Sequence, residues 1–591
     1  MGTISDKLMR VINTKEDIRK ALISKGYDVP ASIPFKEYAK MILDLPCNAD
    51  SFPDIEGIVA RYSASGLTNE QMAANPVWVD KTGNGHDLQL KNFSWKGMSG
   101  VGGYVQDFNY FKNNATVDKI RIDEQGSNFI KVTILTTGIG NAIYIPKNIY
   151  QFNKSYFIKI SSEGYDEGDM ALSFYAPSTS TATTVTVSLN PNGVTEIPAI
   201  KEDDFLAVYI NVSGKVGSFT VEQLPLYPGF ILGDGVGDFA VTEKELNFED
   251  TYTVYTAFIP FQNNPTRNMV LCGADSKKTF SMQYSSLVYV SFIAGNNYYI
   301  NADFVNGLNL FACKRNGNNI CIKNLLTNKV VTGTCGDWVE NAGLYYLWKN
   351  ATYASFAKAA IAGQTICNGY FSTDEDDEKV LDWYKKQYPW LFPDQAWTVT
   401  GKTNEDEDRA TIANITGNGN NLVLSNFGFA EGSGYNEEGE YAGYLVTDGV
   451  DDKIASSDFK IDKDFTIVGD WKFIIDENKG CGLVKVPKLF IYNSKTGLDI
   501  YINSNSIKNI LSGIKGLNAV CSDGRVYDCN WNEISVKYGN MVDINSSFLI
   551  ANSGNIFTKM AFKNLGIYNN QLLSKDDCIK AYNYLQTLKS K

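Results

Sequence analysis

The sequence predicts a mainly β protein: two β-sandwiches written on one repeated pattern, a third β-sandwich inserted in the first, and a small α-helical piece at the N-terminus. Three observations carry this. The stretch Thr82 to Trp95 (Thr-Gly-Asn-Gly-His-Asp-Leu-Gln-Leu-Lys-Asn-Phe-Ser-Trp) recurs from Thr416 to Phe429 (Thr-Gly-Asn-Gly-Asn-Asn-Leu-Val-Leu-Ser-Asn-Phe-Gly-Phe), with eight of fourteen positions identical. Gly-Asn-Gly supplies the positive φ of a tight turn, and Leu-x-Leu-x-x-Phe alternates as a half-buried strand does. The copies continue in both directions, so the chain carries an internal duplication. Aromatic residues are abundant (Tyr 34, Phe 32, Trp 9) beside 50 Gly, while helical periodicity is confined to the N-terminus and two short segments. At 591 residues, three or four cores are expected.

Residues 1–46 form the helical piece. Thr14-Lys-Glu-Asp17 is a capping start, Ile18, Ala21 and Leu22 make an apolar stripe, and Gly26 fits the position where positive φ stops a helix. A second short helix from Phe35 aligns Phe35, Tyr38 and Ile42. Two such helices bury little alone, so the piece is expected to dock: Ile18, Leu22, Phe35 and Tyr38 on a partner, or the helices as a cap on the first sandwich.

The first sandwich takes residues 47–110 and 228–395. Its Tyr62 and Gly66-Leu-Thr-Asn-Glu70 align with Trp397 and Gly401-Lys-Thr-Asn-Glu405, and its Asp234-Gly-Val-Gly-Asp238 with Asp448-Gly-Val-Asp-Asp452. Asp234 follows Trp95 by 139 positions, whereas Asp448 follows Phe429 by 19. The excess is enough for a domain, placed at 111–227, whose eight short alternating segments read as strands divided by Gly, Asn and Ser turns. Its ends must lie close together. Each copy closes on a helix with a capping-box-like start, Thr373-x-x-Asp376 and Ser574-x-x-Asp577. Tyr388-Pro-Trp-Leu-Phe-Pro393 is then a stiff joint to the second sandwich, 396–591.

This order of an aromatic opening strand, an Asp/Asn-x-Thr-Gly-Asn-Gly turn, an Asp-Gly-Val-x-Asp hairpin and a capped closing helix resembles the concanavalin-like, laminin-G-type jelly-roll modules. The resemblance covers residues 55–110 with 228–390, and 395–591. It implies jelly-roll sandwiches of the kind found in secreted and virion-associated proteins of gut bacteria and their phages. The fold hosts lectins, adhesins, hydrolases and spacers, so it implies architecture more than activity. The insert is similar to carbohydrate-binding modules. The N-terminal pattern of Asn13, Thr14, Lys15, Ile18, Ala21, Leu22, Gly26, Val29, Pro30, Phe35, Tyr38 and Ala39 is similar to helical segments of phage tail and fibre proteins.

The net charge of −12 and the scatter of basic residues leave no stripe able to neutralise phosphates, which argues against nucleic acid. No window reaches the ~18 apolar residues of a membrane span, and no signal peptide is read at the start. An outside role would then be reached by virion assembly and lysis, or by a leaderless export route. The ten cysteines contain no CxxC pair and accompany a single histidine, so they read as packed thiols suited to a reducing cytoplasm rather than a disulfide framework.

Catalytic residues are not expected. His86 is matched by Asn420, so a histidine-based triad would exist in one copy only. No paired carboxylates of a glycosidase stand on an alternating strand, and the acidic clusters Asp374–Glu378, Glu405–Asp408 and Glu437-Glu438 read as solvated charge. Asp234, Asp238, Asp448, Asp451 and Asp452 admit two accounts: Ca²⁺ ligands, as the laminin-G resemblance implies, or turn-forming Asp-Gly pairs with backbone caps. No other cofactor is expected. Tyr298, Trp338 and Trp531 lack partners in the other copy and adjoin Asn/Gly loops, which makes them the candidate glycan-stacking residues; Tyr62, Trp95 and Trp397 read as shared core.

The expectation is a virion protein, a tail or head fibre or decoration protein. It would hold other virion proteins through its N-terminal helices and a host-surface glycan through its sandwiches, gaining avidity from many copies. Fibres of this kind are commonly homo-oligomers, though no heptad or collagen-like run sets a stoichiometry. The alternatives are a glycoside hydrolase or lyase with accessory modules, and a bacterial surface glycan-binding protein.

Overall fold

In the computed structural model, the described residues are 52–114, 118–138, 142–175, 185–202, 205–261, 269–274, 280–285, 289–294, 299–303, 305, 307–338, 343–349, 356–417, 419–474, 481–486, 489–494, 497–502, 505–507, 516–535, 544–550 and 559–590. Ile18, Leu22, Phe35 and Tyr38 of the expected anchor, and Tyr298, lie outside them.

The protein is mainly β, and its two large sandwiches share one topology strand for strand. Each pairs two antiparallel eight-stranded sheets. In the first copy the long strand Lys358–Asn368 pairs with Thr251–Pro260 along one edge; along the other it pairs with Ile231–Asp234 and then with Ile58–Ser63. In the second copy Met560–Asn569 pairs in the same way with Phe465–Phe473, Tyr444–Val446 and Gln395–Thr398. The facing sheets begin at Val77–Trp78 and Leu88–Lys91, and at Thr411–Ile412 and Leu422–Ser425, so the repeated Gly-Asn-Gly turn opens the same hairpin twice.

The central strands are apolar on both faces because both faces are covered. In Thr251–Pro260, Tyr252, Val254 and Phe258 enter the sandwich core, while Tyr255, Ala257 and Ile259 face a second cluster with Val380, Trp383 and Tyr384 of the closing helix Asp374–Gln387. Thr373 caps that helix in a full capping box with Asp376. Ser574 caps the second closing helix, Lys575–Thr587, by accepting from the Asp577 N–H. The expectation of solvated charge fails at the first helix. Asp377 is buried and accepts from Lys314 Nζ at 2.7 Å, with Lys323 Nζ 3.0 Å away, because the helix lies flat on the sheet that carries both lysines.

Two five-stranded sheets lie between Gly100–Val101 and Ile231–Asp234, which are themselves paired neighbours. Ten strands form them, two more than the sequence rhythm marks, the additions being Lys112–Asn113 and Val194–Ile197. One sheet orders Val194–Ile197, Tyr156–Glu163, Gly217–Gln223, Phe129–Ile134 and Ile120–Gln125; the other orders Val185–Ser188, Met170–Tyr175, Ala207–Val212, Ala142–Pro146 and Lys112–Asn113. Ile158, Ile160, Ile197, Val208 and Ile210 fill the core between them.

The first of these sheets also uses its outer face. Phe157 meets Tyr582 of the second closing helix edge-on at 5.3 Å between ring centroids, and the Tyr582 hydroxyl donates to Glu196 Oε2 at 3.2 Å. The joint between the large sandwiches is docked as well: Tyr388, Trp390, Leu391 and Phe392 are buried, and the Tyr568 hydroxyl donates to the Trp390 carbonyl at 2.8 Å. No helix among the described residues is long and apolar enough to cross a membrane.

Candidate functional site

The repeated motifs hold turns. In the first copy, Asp80 Oδ1 accepts from the backbone N–H groups of Arg61 and Thr82, both at 3.0 Å, tying the opening strand to the Gly-Asn-Gly turn. Asn414 Oδ1 does the same for Ala396 and Thr416, both at 3.1 Å. The Tyr62 hydroxyl donates to the His86 carbonyl, and Trp397 Nε1 donates to the Asn420 carbonyl. The position held by the only histidine therefore serves through its backbone, which Asn supplies equally well.

The aspartates follow the same logic. Asp234 Oδ1 accepts from the N–H groups of Val236 and Gly237, and Asp238 Oδ2 from that of Asp234. Asp448 Oδ1 accepts from Val450 and Asp451, and Asp452 Oδ2 from Asp448, while Ser433 Oγ donates to Asp452 Oδ1 at 3.0 Å. The carboxylates of Asp448, Asp451 and Asp452 lie within 4.8 Å of one another. Asp448 Oδ1 and Asp452 Oδ2 are taken by backbone donors, and Gly237 stands where Asp451 stands in the other copy. Both copies build the Asp-Gly turn with these donors, and only the second adds a third carboxylate beside it. Burial pushes the Asp238 and Asp452 carboxyls up to about 6.

One of the three aromatic candidates is corrected. Trp531 is only 1% exposed; it packs against Tyr582 at 5.6 Å and Tyr527 at 6.0 Å, under the second closing helix. Asn530 and Asn532 flank it in a turn held by Asp528 Oδ1, which accepts from both of their N–H groups, and the Trp points inward. Trp338 is half-buried over the Arg315 guanidinium, 5.0 Å from the ring, and meets Tyr252 edge-on. It covers a buried cation while part of the side chain stays exposed. Tyr62 and Trp397 are core residues, and Trp95 packs against the first core.

An outward aromatic face stands instead on the insert. Along Ala207–Val212, Val208, Ile210 and Val212 enter the core, so Tyr209 and Asn211 point the other way. Tyr209 is directly opposite Tyr144 on one neighbouring strand and Ser173 on the other, and Ser173 is opposite Thr186. The Tyr144 and Tyr209 rings lie 5.5 Å apart at 28°, and Tyr175, 44% exposed, meets Tyr209 edge-on at 5.0 Å. The strand Lys112–Asn113 adds Lys112 beside Tyr144. Three phenols with hydroxyl, amide and ammonium groups around them can meet the C–H face of a sugar and hydrogen-bond its hydroxyls. The alternation Ile143-Tyr144-Ile145 and Val208-Tyr209-Ile210-Asn211 carried this signal in the sequence; proximity to loops did not.

No family model matches the chain, and no curated protein matches it. Solved structures do match. The receptor-binding domain of botulinum neurotoxin mosaic serotype C/D is 10% identical, with 58% of this chain and 89% of that chain covered and a TM-score of 0.26. A serotype D ligand-binding domain solved with N-acetylneuraminic acid is 9% identical, covering 58% and 88%, with a TM-score of 0.25. Domain 4 of a GH43 extracellular arabinanase from Geobacillus stearothermophilus, solved with arabinotriose, is 15% identical over 26% of this chain and 80% of that one, with a TM-score of 0.20. Scores this low carry no argument about the ligand of this chain.

Proposed function

We propose that this chain is a structural component of a phage virion, a tail or head fibre or decoration protein, that presents β-sandwich modules for attachment to host-surface glycan. The observation that carries the attachment reading is the Tyr144–Tyr209–Tyr175 face on the outer sheet of the insert. The opposite sheet of the same module is docked, so the phenols face away from the body of the protein. The virion reading is supported by the resemblance of the N-terminal segment to phage tail and fibre proteins. Attachment is non-covalent, each contact is weak, and many copies on one particle supply the avidity.

The test is binding of the full chain to surface polysaccharide extracted from candidate host bacteria. The double variant Tyr144→Ala, Tyr209→Ala is expected to weaken binding by about tenfold or more at unchanged thermal midpoint, since each lost ring contact is worth ~1 kcal/mol. Equal binding by wild type and variant sinks the attachment reading. Detection of the chain in purified particles by mass spectrometry tests the virion reading separately.

A further inference from the structure

A cleft of about 490 Å³ opens where the insert meets the second closing helix, within the ~300–1,000 Å³ of small-molecule sites. One wall is the outer face of the strands Tyr156–Glu163, Val194–Ile197 and Gly217–Gln223; the other is the start of Lys575–Thr587. Asn583 lines it. That side chain is only 3% exposed, yet its Oδ1 accepts no hydrogen bond. A buried acceptor left unpaired costs about 1–3 kcal/mol; the oxygen is closed to solvent as it stands, and a half-turn of the amide, which exchanges it with the nitrogen, would let a ligand hydroxyl in the cleft recover that cost.

The rest of the lining narrows the ligand. Lys159 and Lys575 stand against Glu222 and Asp576, and the third lysine, Lys580, is already held by Asp577 at 3.1 Å and over the Trp390 ring at 4.4 Å. The charges nearly cancel, so the site has no strong field for an anion. Leu224, Pro225 and Ile579 supply apolar surface between these polar groups.

We infer that this cleft is a second carbohydrate site, taking a neutral, hydroxyl-rich sugar unit against Asn583. The inference rests on the attachment reading above and extends it: one chain then grips a glycan at two places, the tyrosine face and the cleft on the opposite sheet. Because the two walls come from different modules, the cleft exists only while the insert stays docked.

The experiment uses the full chain carrying Tyr144→Ala and Tyr209→Ala, so that the outer face is silenced. Saturation-transfer NMR is run with a panel of neutral hexoses and N-acetylhexosamines, and with a hexuronic acid as the charged control. A neutral sugar is expected to give signal, and adding Asn583→Ala is expected to weaken that binding about five- to tenfold, the effect of losing one buried hydrogen bond. If Asn583→Ala lowers the thermal midpoint, Glu222→Gln and Lys575→Ala on the exposed rim replace it, and each is expected to weaken binding severalfold. Absence of signal from every neutral sugar, signal from the uronic acid alone, or undiminished binding in all three cleft variants overturns the inference. Failure of the tyrosine substitutions to affect polysaccharide binding would instead overturn the first reading and leave the cleft standing.

Discussion

Asp238 and Asp452 occupy equivalent turns and share an unusual property: burial holds both carboxyls near 6, above the ~3.9 of an unfolded Asp. Each therefore binds its proton more tightly in the folded chain. The stabilisation this gives is full below about pH 4 and is lost as pH rises through about 6. The double variant Asp238→Asn, Asp452→Asn keeps a side-chain oxygen to accept the Asp234 and Asp448 N–H groups. Its thermal midpoint is expected to fall less than that of the wild type across that interval, and parallel melting curves would refute the assignment. The identities of the turn residues were legible in the sequence because Gly-Asn-Gly and Asp-Gly act locally. Trp531 was not, since whether a tryptophan beside a loop faces solvent or a helix 50 residues later is decided by packing. Trp531→Ala is expected to cost about 3–5 kcal/mol in denaturant unfolding, as large buried truncations do.

The two closing helices show how a duplicated element diverges. In each copy a threonine on the central strand ties down the segment before the helix: Thr253 accepts from the Ser372 N–H and Thr466 from the Leu573 N–H, both at 3.0 Å. The paired neighbour of Thr253 is Lys314 and that of Thr466 is Cys521. Counting from the capping residue, Asp377 matches Cys578. An ion pair in the first copy is thus a thiol pair in the second, where the Cys578 thiol holds Cys521 below the ordinary range and is itself pushed up. The consequence is an asymmetry under mutation. Asp377→Ala leaves the buried Lys314 ammonium with only the Ser372 carbonyl, while Lys323 keeps Asp374, and is expected to cost about 3–5 kcal/mol, whereas Cys578→Ala removes one small neutral group and is expected to cost about 1 kcal/mol. Chemical denaturation of the two variants measures both, and equal losses would contradict this account. The helices and their caps were readable from Thr373-x-x-Asp376 and Ser574-x-x-Asp577; the buried partners were not, because Lys314 and Cys521 lie more than 50 residues upstream.

Across the whole molecule, a junction of charges and rings fixes the insert to the second sandwich. Glu196 of the insert is pushed up by burial and by Asp470. Burial acts on Asp470 too, but Lys472 and Lys563, with hydrogen bonds from Tyr444 and Gln586, outweigh it and hold that carboxyl down. Tyr582 links the two sides by its hydroxyl and its ring. Tyr582→Ala is expected to release the insert while the sandwiches stay folded, seen as faster proteolysis between residues 102 and 230 and a larger radius in small-angle scattering; an unchanged radius would count against it. The junction could not be located from spacing, since it gathers residues from separate strands; for the tyrosine face, alternation marks Tyr144 and Tyr209 as outward but not as neighbours. The length of the insert, by contrast, was plain from the unequal distances between repeated motifs. The insert also enters and leaves through hydrogen-bonded neighbours, Gly102 N–H to the Phe230 carbonyl and Tyr227 N–H to the Gly102 carbonyl. In the second copy the same place is a plain hairpin, Gly434–Asn436 with Tyr444–Val446. Such a doorway makes the insert a detachable cassette: exchanging it for another small sandwich would leave the host hairpin intact, provided the newcomer still offers a surface that Tyr582 can clasp.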